Sequence, residues 1–109
     1  MKTAFTLTHR ETLPVKCLDL KRHPSGFKEE DHFTYTSDDG LTIRFHMHPR
    51  WEFVYVRLAE TSEAISDAAF RAFVGAWTVA AMNALDARDE NTSAETAMAA
   101  GIARLRVKV

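Results

Sequence analysis

The segment from His32 to Met47 constrains the fold more than any other part of the chain. Two runs of alternating polarity flank Ser37-Asp38-Asp39-Gly40, and a period of two marks a half-buried strand. Asp-Asp-Gly suits a three-residue hairpin loop, with Gly40 taking the left-handed conformation that other residues resist. Such a loop fixes the register. Phe33 then opposes Phe45 and Tyr35 opposes Ile43 on one apolar side. The reverse side pairs Thr36 with Thr42, Thr34 with Arg44, His32 with His46 and Glu30 with His48. A slip of one residue would mix the two sides, which a sheet with one buried face does not tolerate.

Around the hairpin the chain divides by composition, with all five histidines before residue 49 and alanine crowding the second half. Thr3–Thr8 alternates and predicts a short strand. Leu13–Leu20 predicts another, with Val15 and Cys17 on one side and Leu18 and Leu20 on the other, before a turn over Lys21–Gly26. Trp51–Leu58 has the aromatic and β-branched content of a strand that would complete a meander. Pro49 and the spacing of Trp51, Val54, Tyr55 and Leu58 would also suit a helix, the less favoured reading.

A helix is expected from Ser62 or Ser66 to about Arg88, with Phe70, Phe73, Trp77, Ala80, Ala81 and Ala84 on one arc and an Asp67–Arg71 pair one turn apart. Thr92-Ser93-Ala94-Glu95 resembles a capping box opening a short second helix that Gly101 closes. Leu105–Val109 alternates as a last strand with one basic side. The expected architecture is one α+β domain over 1–109. It has an antiparallel sheet of N-terminal strands and a hairpin or meander, packed by one long Ala-rich helix and a short second helix, with a C-terminal strand.

Composition excludes more than it identifies. Fourteen Lys and Arg against 15 Asp and Glu leave a net charge of −1, with no general attraction for nucleic acid or anionic lipid. The single cysteine, Cys17, excludes an internal disulfide and a thiolate-rich zinc site, and in an apolar run it reads as an inert small hydrophobe. No secretory apolar run follows Met1-Lys2, and the uncharged stretch Ala72–Leu85 is shorter than the roughly 20 residues that cross a bilayer. A cytoplasmic location is expected. Glycines at 26, 40, 75 and 101 allow no Gly-rich phosphate loop. The serines suit turns and caps, so no enzyme and no catalytic residue is expected.

Three functional readings remain. The helix carries more apolar surface than one sheet can cover, with Gly75, Val79 and Met82 on its back and alanine at 64, 68, 72, 76, 80 and 84. Burial on two sides points to a non-enzymatic protein–protein interaction module, a homo-oligomer or half of a complex, needing no cofactor. Its contact residues would be Trp51, Phe53, Tyr55, Phe73, Trp77, Val79 and Met82. The size suits a small phage or mobile-element accessory protein, an assembly factor or inhibitor. The alternative is a metal-binding domain in which His32, His46, His48 and Glu30 hold zinc. A third reading is weak nucleic-acid binding, should Lys16, Lys21, Arg22 and Lys28 lie beside Arg104, Arg106 and Lys108, with Phe27 nearby.

Residues 32–43, His-Phe-Thr-Tyr-Thr-Ser-Asp-Asp-Gly-Leu-Thr-Ile, resemble the opening hairpin of small tail assembly chaperones of long-tailed bacteriophages. Residues 66–77, ending in Phe73-Val74-Gly75-Ala76-Trp77, are similar to a helix of that family with an aromatic-x-x-Trp end. The resemblance covers about 32–77, and the strand-like Trp51–Leu58 departs from the mostly helical family pattern. It implies a non-enzymatic protein that binds the tape-measure protein during tail assembly, and it carries over no catalytic or metal residue.

Overall fold

The computed structural model describes residues 2–48, 52–61 and 65–108, the side chains of 2, 48, 52–61 and 108 excepted. Four strands come first: β1 (Lys2–Lys16), β2 (Phe27–Ser37), β3 (Thr42–His48) and β4 (Glu52–Thr61). Two helices, α1 (Asp67–Ala87) and α2 (Ala94–Ile102), and a last strand, β5 (Arg104–Lys108), complete the α+β chain. The sheet is antiparallel with order β4-β3-β2-β1-β5, so the last strand closes on the first.

The hairpin forms in the expected register, Phe33 against Phe45, Tyr35 against Ile43 and His32 against His46. Its loop is Asp38-Asp39-Gly40, with Gly40 at φ +92° and its N–H donating to the Ser37 carbonyl. The segment left between strand and helix is a strand, β4. Both helix starts are capped by a serine hydroxyl that accepts a backbone N–H, Ser66 from Ala69 and Ser93 from Thr96, each at 3.1 Å. The second cap thus falls one residue later than the Thr92–Glu95 capping box suggests.

Three further expectations are corrected. The two short N-terminal strands are one strand of 15 residues. A bulge between Leu7 and His9 shifts its pairing with β2, so the alternation changes phase at Thr8. Phe5 and Leu7 face the helices before it, Arg10 and Thr12 after it, with the Arg10 guanidinium over the Phe33 ring and Thr12 bonded to the buried Asp31. Leu18 and Leu20 lie beyond the strand and are exposed, Leu18 by 91%. Gly101 does not end α2, which runs on to Ile102. It allows close packing instead: a Cβ there would stand 2.4 Å from the Ala84 Cβ and 2.9 Å from the Ala80 carbonyl oxygen. The helix is also longer than the uncharged stretch Ala72–Leu85. The 21 residues of α1 are long and apolar enough to cross a bilayer by length and composition, although here its inner side packs on the sheet.

That packing makes the core. Phe73, Trp77 and Ala81 of α1 and Ile102 of α2 are fully buried against Phe5, Phe33, Tyr35, Ile43, Phe45 and Met47. The Trp77 ring meets Phe33 and Phe45 edge-on at 5.3 and 5.5 Å, a favoured aromatic geometry. Its indole N–H donates to the Tyr35 hydroxyl at 2.8 Å, and that hydroxyl donates to the Ile102 carbonyl at 2.6 Å. The Ala103 carbonyl accepts from the Leu7 N–H. The end of α2, where carbonyls lack helical partners, is therefore tied to the sheet.

Tyr35→Phe leaves the Trp77 N–H and the Ile102 carbonyl without that partner and should cost about 2–4 kcal/mol, read as a lower urea midpoint at unchanged slope. Gly101→Ala should cost about 1–3 kcal/mol in the same assay by pushing α2 off α1. A wild-type midpoint for either variant would contradict the packing described.

Candidate functional site

The sheet face turned away from the helices carries a row of titratable side chains across three strands. Glu11, His32 and His46 are cross-strand neighbours on β1, β2 and β3, and the bulge at Thr8 is what puts Glu11 on this face. His9 Nε2 lies 3.4 Å from Glu11 Oε2. Arg44 Nη2 lies 3.8 Å from Glu11 Oε1 and 3.4 Å from His32 Nδ1. The His32 and His46 rings meet edge to face with centroids 5.0 Å apart. His46 Nδ1 is 3.4 Å from Glu30 Oε2, and Lys28 Nζ is 3.8 Å from Glu30 Oε1.

Surface pairs at such distances contribute little, but Glu30 is only 3% exposed, and a buried carboxylate needs its cationic neighbours. Burial, and next the Arg44 guanidinium, hold His32 below the ordinary imidazole value of 6.5, against the pull of Glu30, Glu11 and Asp31. His32 is therefore neutral at pH 7. Arg44 can only donate, so Nδ1 accepts and the ring proton sits on Nε2. That Nε2 is buried and has no hydrogen-bond partner among the described residues.

The structure thus brings together three of the four proposed metal ligands. Glu30, His32 and His46 each offer one ligand atom, all within 4.8 Å of one another. Glu30 meets His46, its diagonal neighbour, where His48 had been expected opposite. His48 ends β3, and its side chain lies outside the described residues.

The proposed partner residues are divided. Phe73 and Trp77 are fully buried in the chain's own core, which corrects their assignment to a contact surface: the aromatic arc that faces the sheet cannot also face a partner. Val79 and Met82 point outward, 57% and 43% exposed. With Ala68, Ala72 and Gly75, also exposed, they make a continuous outer face of α1, flanked by the exposed Arg71 and Asp86. Phe53 and Tyr55 belong to β4, their side chains outside the described residues, as is Trp51 altogether. The predicted alanine ridge is split as well. Ala80 and Ala84 receive α2 at Gly101, and Ala68 and Ala72 are left open.

The two basic segments are not adjacent. β5 pairs with Lys2–Thr6, and Lys16 lies ten residues further along β1, about 33 Å at strand spacing. Lys21, Arg22 and Lys28 lie at that far end, so no joint nucleic-acid patch forms. Large apolar residues are exposed there: Phe27, expected beside the basic residues, and Leu18 and Leu20, whose alternation reads as a half-buried strand. Comparison with protein families, curated proteins and solved structures finds no match to this chain.

The His32 ring should titrate below 6.5 in an NMR pH series. Because the unfolded imidazole takes up its proton first, stability should fall as the pH drops below about 6.5 and level off below the folded-state value. His32→Gln should remove that part of the slope. A His32 titration at or above 6.5 would show that Arg44 and burial do not govern the ring.

Proposed function

We propose that this protein is a non-enzymatic interaction module that pairs with a second copy of itself through the outer face of α1. One observation carries the reading: the exposed face is self-complementary. In an antiparallel pairing that sets Arg71 opposite the second copy's Asp86, the same register sets Gly75 opposite its Met82. The pattern repeats by symmetry on the other side, with Val79 near the axis. Neither Arg71 nor Asp86 has an ion-pair partner among the described residues, so the pair predicted between Asp67 and Arg71 does not compete. A methionine knob beside a glycine lets two helix backbones come close.

Size sets the strength. A helix of 21 residues is about 31 Å long, and one such pair buries less than the about 800 Å² per partner of a standard interface. The association is therefore weak and concentration-dependent, stronger at low salt because its flanking pairs are exposed. The small size and the resemblance of residues 32–77 to tail assembly chaperones support a binding role of this general kind, an accessory protein of a phage or mobile element.

Sedimentation equilibrium over a range of concentrations tests it. The 12.3 kDa chain should approach twice its mass, and Met82→Lys should hold it at monomer mass with an unchanged circular dichroism spectrum. Arg71→Asp should weaken the dimer several-fold, and adding Asp86→Arg should restore it. A parent chain monomeric up to about 1 mM, an affinity of no more than about 4 kcal/mol, or a charge swap without recovery, would overturn the proposal.

A further inference from the structure

We propose that Glu30, His32 and His46 form a three-ligand site for a divalent transition metal, zinc foremost, on the open face of the sheet. Two imidazoles and one carboxylate are the donor set that borderline metals take, and a three-ligand zinc site keeps a fourth position open. All three ligand atoms already lie within 4.8 Å of one another. Zinc bonds of about 2.0–2.1 Å in tetrahedral geometry need about 3.3 Å between ligand atoms, a change within reach of side-chain rotation. The scaffold is rigid where it matters, because His32 and His46 are register partners on adjacent strands whose other faces hold the Phe33–Phe45 stack.

The remaining groups define what binding must change. His32 presents a buried Nε2 with no hydrogen-bond partner among the described residues, the atom that would turn to the metal once its proton moves to Nδ1. Glu11, the cross-strand neighbour of His32, is the carboxylate that can take the Nδ1 proton in place of Arg44, the support that metal-bound histidines usually have. Lys28 competes for Glu30 and Arg44 for His32. These two cations oppose metal binding, and they yield a test that a plain ion-pair row would fail. Removing a competing cation should tighten metal binding.

The experiment titrates Co(II) into the metal-free protein, reading the visible absorption of a four-coordinate ion, with Zn(II) added to displace it. One Co(II) per chain is expected, displaced by one Zn(II). Glu30→Gln and His46→Ala should each weaken binding at least tenfold, and Lys28→Gln should strengthen it several-fold, the order of one partly exposed ion pair. His23→Ala, in the distant loop, should change nothing. Circular dichroism of each metal-free variant confirms its fold, and the near-isosteric Glu30→Gln keeps the test open should His46→Ala unfold. No cobalt absorption, or absorption unchanged in Glu30→Gln, or weaker binding in Lys28→Gln, would overturn the site. None of these outcomes depends on whether α1 pairs with a second copy.

Discussion

The register of β2 against β3 is the constraint on which both faces of the molecule depend. Successive side chains of a strand point to opposite sides, so stacking Phe33 on Phe45 at 5.2 Å also sets His32 against His46 on the reverse. Trp77 then settles on the Phe33–Phe45 pair and reaches the Tyr35 hydroxyl. Slipping one strand by one residue would turn its histidine towards the core and its phenylalanine into water. The hydrophobic core therefore fixes the polar cluster, although the cluster adds little to stability itself. Burial pushes the Tyr35 hydroxyl well above its ordinary range, so it stays a neutral donor to Ile102 while it accepts from Trp77.

What the residues disclose in advance is local. Asp38-Asp39-Gly40 gives the loop, the alternation around it gives the register, and Ser66 before an apolar arc gives the start of α1. What they conceal depends on partners distant in the chain. Nothing near Thr8 announces a bulge, because the mismatch exists only between β1 and β2, and without it Arg10 and Glu11 would exchange faces. Gly101 reads as a helix end by the usual preference of glycine. Its role becomes visible only when Ala80 and Ala84, 17 to 21 positions earlier, are placed against it. Glu30 was placed in the cluster by the hairpin register, but the imidazole it meets is that of His46, one diagonal step away.

The helix α1 shows how one apolar surplus is shared. Its inner arc of Phe73, Trp77 and Ala81 closes the sheet. The flank with Ala80 and Ala84 accepts α2, and the outer face with Gly75, Val79 and Met82 stays exposed. Reading all apolar positions as one resource assigned Phe73 and Trp77 to two tasks. A side chain with no accessible surface contributes to a partner only by holding the helix in place.

The polar row sets a limit on how the open face can be used. Glu30 is buried, and the Lys28 Nζ and His46 Nδ1 atoms stand 3.8 and 3.4 Å from its carboxylate oxygens. Replacing it by an uncharged residue would take a partner from both of them, whereas removing His46 alone would leave the Lys28 pair intact. The row is thus asymmetric. A buried carboxylate needs a cation beside it, and a metal ion can fill that place without disturbing the Phe33–Phe45 stack beneath. This is why a cluster built as an ion-pair network can also receive a metal ion: both demands are met by the same buried carboxylate, and the strand register keeps the two imidazoles beside it in either state.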